Sequence, residues 1–133
     1  MTERLLRAVE HPHVDILGHL TGRLLLRRQA YPLDVEAIVD ACAHHGVAVE
    51  INSQVDRLDL NDVHARLARE RGVALVISSD AHSRHGFGVL RWGVTVARRA
   101  WLTPGDVLNT RSFDGFRAGL RRVRGRTDTS KGR

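Results

Sequence analysis

The sequence predicts an α/β protein: a parallel sheet or barrel present only in part. Three observations carry this. Short apolar runs, Val14–Leu17, Val47–Ile51 and Val73–Ile77, recur along the chain. Capped amphipathic segments lie between them, and each strand gives way to polar residues where it ends. Three strands are few, since a complete α/β barrel takes about 250 residues and this chain has 133.

The elements follow in order. Over 3–10, Leu5, Leu6 and Val9 share one helical face. Val14-Asp15-Ile16-Leu17 is the first strand, ending at Gly18-His19, and 23–32 reads as a loop or a short helix stopped by Pro32. Asp34 is placed to cap a helix whose stripe is Val35, Ile38, Val39 and Cys42, closed by Gly46. The second strand leads through Glu50 to Asn52. Asn61 or Asp62 then caps a helix, with Val63 and Leu67 expected inward and Gly72 at its end. The third strand is an apolar run of the sort buried on both faces. A helix is expected near 91–99. Thr103-Pro104-Gly105-Asp106 reads as a further helix start, and Ser112 as the cap of a last helix with Phe113, Phe116 and Leu120 inward. Residues 1–123 form one domain by this reading, and 124–133 a disordered basic tail.

Composition narrows the function classes. With 42% apolar and 27% charged residues the chain reads as globular. No run approaches the roughly 18–20 apolar residues that span a bilayer. The single cysteine, Cys42, excludes an internal disulfide and fits a reducing compartment, so a cytoplasmic protein without a membrane partner is expected. The net charge of +6 favours polyanions, nucleic acid first, although all the basic residues except Lys131 are arginine and several lie in the tail.

Reactive groups of parallel α/β proteins collect at the C-terminal ends of the strands. Here those ends carry His19, then Glu50 and Asn52, then Ser78-Ser79-Asp80-Ala81-His82. Asp80 and His82 are two apart, so on an extended segment both side chains point one way. A carboxylate and an imidazole at one mouth suit Zn, Mn or Fe; the competing reading is a turn cap and a surface histidine. His19 is either a third ligand or a satisfied polar residue. Glu50 and Asn52 either orient ligand imidazoles or merely end a strand. His85 is near enough in sequence to line the site. Arg23 suits a phosphate or a carboxylate. His44 and His45 complement a helix dipole, His64 has no assigned role, and Trp92 and Trp101 read as core or rim packing rather than base-stacking platforms.

Gly18-His19-Leu20-Thr21-Gly22-Arg23, Glu50-Ile51-Asn52, Asp56-Arg57-Leu58-Asp59-Leu60-Asn61-Asp62-Val63-His64, Ser79-Asp80-Ala81-His82-Ser83 and Ala97-Arg98-Arg99-Ala100-Trp101 occur in the order and spacing of a known family. From about residue 4 to 115 the chain resembles the C-terminal half of the PHP domain of bacterial X-family DNA polymerases. That resemblance implies a distorted β/α barrel holding up to three divalent metal ions. It also implies phosphoester hydrolysis, of a 3′-to-5′ exonuclease or 3′-end-processing type on DNA. His19, Asp80 and His82 match the family's metal ligands. Leu20 stands where the family has Pro. The opening His-x-His strand and the mid-domain Glu and His ligands have no counterpart, so little activity is expected of the chain alone. Three classes follow: a fragment of such an enzyme; half of a split phosphoesterase, histidinol-phosphatase-like or otherwise, completed by the missing N-terminal half or a second chain; or a non-catalytic nucleic-acid-binding module.

Overall fold

The computed structural model describes residues 1–120; the expected tail, 124–133, lies outside them. Helix α1 (Thr2–Glu10) precedes the two-residue strand β1 (Ile16–Leu17). Helix α2 (Val35–His45), β2 (Ala48–Asn52), α3 (Asp62–Glu70) and β3 (Leu75–Ser78) follow. A 3-10 segment over Arg84–Val89 runs into α4 (Leu90–Arg99), and α5 (Phe113–Gly119) is the last element. The strands form one parallel sheet in the order β1-β2-β3.

Local chemistry accounts for the boundaries. The Asp34 carboxylate accepts from the Ala37 N–H at 3.0 Å, and Gly46 ends α2 in the left-handed region at φ 69°. Asn61, not Asp62, caps α3, accepting from the His64 N–H at 2.8 Å. Ser112 caps α5 through the Gly115 N–H at 3.2 Å.

The sheet has packing on both faces. Leu17, Val49, Ile51 and Leu75 join Val9, Ile38, Val39 and Cys42 of α1 and α2, and Ala65, Ala68, Val96 and Ala97 of α3 and α4, in the main core. Ala48 and Val76 pack on the other face against Leu108, with Phe116 alongside. Alternation along the strands sorts the two sets.

Several sequence expectations are corrected. Val63 is 69% exposed, because α3 turns Ala65 and Ala68 to the core and these small side chains let the helix approach closely. Phe113 is 72% exposed, and only Phe116 of the two α5 phenylalanines packs on the sheet. The Thr103 capping box forms, with the Asp106 carboxylate accepting from the Thr103 N–H at 2.7 Å. It opens only the single 3-10 turn Pro104–Asp106, after which Val107 is extended. That extended residue pairs with Leu75 along the outer side of β3. Just beyond it the Asn109 side chain accepts from the Ile77 N–H at 3.0 Å and donates to the Ile77 carbonyl at 2.7 Å. Trp101 is 68% exposed with Arg66 stacked over it at 4.2 Å, and Trp92 is also exposed, so neither is a core residue.

Candidate functional site

His19 and Asp80 follow β1 and β3, which flank β2, and the parallel arrangement brings them to one end of the sheet. His19 Nε2 lies 3.6 Å from Asp80 Oδ2. Both residues have positive φ, 51° and 49°, a conformation that costs side-chain-bearing residues energy and is kept only where the surroundings impose it.

The second strand supplies that imposition. Glu50 and Ser78 project from the same face as Ala48 and Val76, and the Ser78 hydroxyl donates to Glu50 Oε1 at 2.5 Å. Glu50 Oε2 accepts from the His19 backbone N–H at 3.0 Å. Gly18 is close enough that a β-carbon there would sit 3.2 Å from the same oxygen. Asn52 is wholly buried. Its Oδ1 accepts from the Gln54 N–H at 3.0 Å, which turns its amide nitrogen toward His19 Nδ1 at 3.2 Å. Nδ1 is therefore the acceptor, and the ring proton sits on Nε2, facing Asp80.

Asp80 is not on an extended segment, so the argument that residues two apart point one way does not hold here. At φ 49° the chain turns, and His82 Nδ1 folds back to the Asp80 carbonyl at 2.8 Å. That bond makes Nδ1 the donor and leaves the lone pair on Nε2, the tautomer that binds metals. The side chain of Gln54 ties the loop down from β2, donating to the carbonyls of Ser79 at 2.6 Å and Asp80 at 3.3 Å.

Arg23 does not point freely into the site. Its Nε donates to the Arg57 carbonyl at 2.8 Å and a terminal nitrogen donates to the Leu58 carbonyl, so it braces the 57–58 turn. His85 lies on the exposed 3-10 segment. In the sequence, Gln54 and Asp59 carry no assigned role, and Ser78 stands only among the polar residues that end the third strand. Asp59 is fully buried and accepts from Thr21 N–H at 3.0 Å, Thr21 Oγ1 at 2.9 Å and Gly22 N–H at 2.9 Å, which pins the turn that carries His19. Residue type alone did not mark it, since an acid between two leucines, with Arg57 and Asn61 beyond them, also fits an exposed position.

A cavity of about 390 Å3 opens at this end, lined by Gln54, Asp56, Arg57, Asp80, His82, Ser83 and Gly86. Larger cavities, of about 450 Å3 beside the 23–30 loop and about 560 Å3 between α2 and α3, contain none of His19, Asp80 or His82. Size alone does not locate the chemistry.

Two ligands at about 2.0–2.2 Å from a tetrahedral ion stand about 3.3–3.6 Å apart, and the His19–Asp80 separation of 3.6 Å matches that bite. Among the described residues, however, no three His, Cys, Asp or Glu side chains are grouped so as to hold an ion. The site provides a fitting pair of donors, with His82 beside it in a ligating tautomer. To bind through Nε2, His19 would need its ring proton on Nδ1, where the Asn52 amide nitrogen now donates at 3.2 Å; Glu50 Oε2 lies 3.8 Å from Nδ1, beyond hydrogen-bond reach, so metal binding would require these side chains to shift.

The fold and this mouth define a parallel α/β protein with an imidazole–carboxylate pair at its strand ends. The chain is homologous to the DNA polymerase/3′-5′ exonuclease PolX of Bacillus subtilis, at 40% identity over 120 residues, 90% of this chain and 21% of that protein. It is homologous also to probable phosphatases. One from Thermoanaerobacter sp. (strain X514) is 30% identical over 115 residues, 82% of this chain and 44% of the relative. One from Shewanella sp. (strain ANA-3) is 33% identical over 93 residues, 65% of this chain and 34% of the relative. No family model matches the chain. It spans about a fifth of the length of the polymerase and less than half that of these phosphatases.

Proposed function

We propose that the chain is the C-terminal part of a PHP-type, metal-dependent phosphoesterase barrel, and that the complete domain trims or processes the 3′ ends of DNA. The observation that carries this is the His19–Asp80 pair, set at metal-ligand spacing at the ends of parallel strands in a homologue of an exonuclease and of phosphatases. His19, Asp80 and His82 would hold a divalent ion of Mn, Zn or Fe. When bound, such an ion supplies charge neutralisation at the phosphate and acidifies water. The chain's own residues do the positioning: Glu50 holds the His19 backbone N–H, Asn52 donates to its ring Nδ1, and Gln54 fixes the Asp80 loop.

Hydrolysis by paired ions needs more ligands than this mouth offers, so the remaining ones come from polypeptide outside these residues, either the N-terminal half of the domain or a second chain. Alone, the chain shows little turnover with Mn²⁺ on 3′-recessed DNA. Adding a segment with the remaining ligands restores activity, and His82→Ala then abolishes it. Robust turnover by the isolated chain would overturn this reading. Asp80→Ala lowers bound metal, measured by elemental analysis, more than His85→Ala does; equal losses would count against Asp80 as a ligand.

DNA is the proposed partner. The net charge of +6 supports weak, salt-sensitive binding in which affinity falls steeply as released counterions are opposed by added salt. Binding unchanged from low to high salt would count against an electrostatic origin, whereas salt-sensitive binding with no activity under any complementation would favour a non-catalytic module. The homologous phosphatases keep a small phosphoester open as the substrate, and hydrolysis of p-nitrophenyl phosphate but not DNA by the completed domain would establish it.

A further inference from the structure

Arg57 is the one arginine among the described residues that line the cavity holding Asp80 and His82. Its backbone is unusually well fixed. Its N–H and that of Leu58 both donate to the Gln54 carbonyl, at 2.9 and 2.8 Å, closing a turn. Its own carbonyl and that of Leu58 accept from Arg23. The neighbouring Asp56 carbonyl accepts from the Leu25 N–H at 2.6 Å. The Gln54 side chain fastens this same turn to the Ser79 and Asp80 carbonyls. A rigid backbone thus holds Arg57 in register with the proposed ligands.

The guanidinium is treated differently. Among the described residues it has no hydrogen-bond or ion-pair partner, although the carboxylates of Asp56 and Asp80 line the same cavity. Most other arginines near the site are engaged. Arg23 braces carbonyls, and Arg28 donates to the Gly22 carbonyl at 2.9 and 2.6 Å. A half-buried, unpaired guanidinium on a pinned turn is a preorganised fork for a planar or tetrahedral oxyanion. A lysine there would give only a point charge.

We propose that Arg57, rather than Arg23, receives the non-bridging oxygens of the substrate phosphate, with Arg23 acting as the positioning residue that holds the Arg57 turn. This rests on the phosphoesterase reading of the same site. Arg57 draws the phosphate to the side of the cavity bordered by Asp80 and His82, so it selects phosphorylated substrates before any bond is broken.

The test measures binding without turnover. Inorganic phosphate is titrated into the full chain at low ionic strength, with and without Mg²⁺, and followed through affinity and the Arg57 Nε–Hε NMR resonance. Arg57→Met should weaken binding about tenfold or more, Arg57→Lys by less, and Arg98→Met, on the exposed last turn of α4, not at all. Arg23→Met should weaken binding and broaden the Arg57 resonance together. A change below twofold in Arg57→Met overturns the assignment, as does an equal loss in Arg98→Met, which would show general charge attraction. If Arg57→Met fails to fold, Arg57→Lys decides, since it keeps the stem and charge but not the fork; wild-type affinity there overturns the proposal. The two readings separate cleanly. Reconstituted hydrolysis with unchanged KM and kcat in Arg57→Met sinks the Arg57 role alone. Arg57-dependent phosphate binding without hydrolysis under any complementation sinks the phosphoesterase reading alone.

Discussion

Replacing Asp59 by Ala should cost the protein a large part of its stability and release His19. The carboxylate is fully buried and accepts from Thr21 N–H, Thr21 Oγ1 and Gly22 N–H. Alanine leaves two backbone donors and a hydroxyl facing no acceptor in a region from which water is excluded. Each unsatisfied buried donor costs about 1–3 kcal/mol. Some relaxation and a trapped water offset part of this, so the net loss is about 3–5 kcal/mol, set against a whole-domain stability of about 5–15 kcal/mol. In urea, with a slope of about 2 kcal/mol per molar, the midpoint should fall by about 2 M. Asp59→Asn keeps one acceptor and should lose about half as much. The His19 imidazole resonances should broaden in both variants, because the turn from Leu20 to Gly22 is no longer held. A midpoint shift below 0.3 M (about 0.6 kcal/mol) in Asp59→Ala would refute the claim that this carboxylate organises the turn.

Three further outcomes are expected. Gly93→Ala would place a β-carbon 2.1 Å from Ser53 Oγ and 2.7 Å from Ile77 Cγ2, forcing α4 away from the sheet; thermal unfolding should show a loss of about 1–3 kcal/mol, and a neutral result would mean that α4 has room to shift. Burial holds the His64 imidazole below its ordinary value of 6.5, outweighing the attraction of Asp59, and Arg23 acts in the same direction as burial. The unfolded chain then takes up a proton that the folded one refuses, so this contribution is complete above about pH 6.5 and is lost as pH falls below it; urea midpoints at pH 8 and 5.5 should differ less in His64→Gln than in the wild type. Cys42 is fully buried and its thiol is pushed up to about 11 by burial, so it should resist iodoacetamide at pH 8 until the protein unfolds; prompt native-state alkylation would contradict the packing of α2.

The sheet and its helices were legible because caps and stripes are local signals. Asp34, Gly46 and Ser112 act where the sequence placed them. Facing was harder to read. Val63 and Phe113 looked inward by apolarity, but neighbours decide which side of a helix meets the core, and alanines at 65 and 68 took that side of α3. At the candidate site, the strand-end positions of His19 and Asp80 predicted their meeting. The backbone turn at Asp80 was legible only as the competing turn-cap reading: Asp and His tolerate a positive φ better than most side-chain-bearing residues, but that preference does not single out a position. The role of Arg23 was equally hidden: an arginine's charge is visible in sequence, but its carbonyl partners 34 and 35 residues away are not.

Asn109 offers its side-chain amide to Ile77 much as a neighbouring strand would offer its backbone, and Val107 continues that pairing at Leu75. The consequence is directional. With β3 closed off in this way, the sheet can grow only beyond β1, whose outer N–H and C=O groups meet no strand among the described residues. Whatever strand joins this protein, from its own domain or from another copy, has one berth to enter. Asn109→Ala would open a second berth and should turn an orderly one-ended assembly into a two-ended one prone to chain growth.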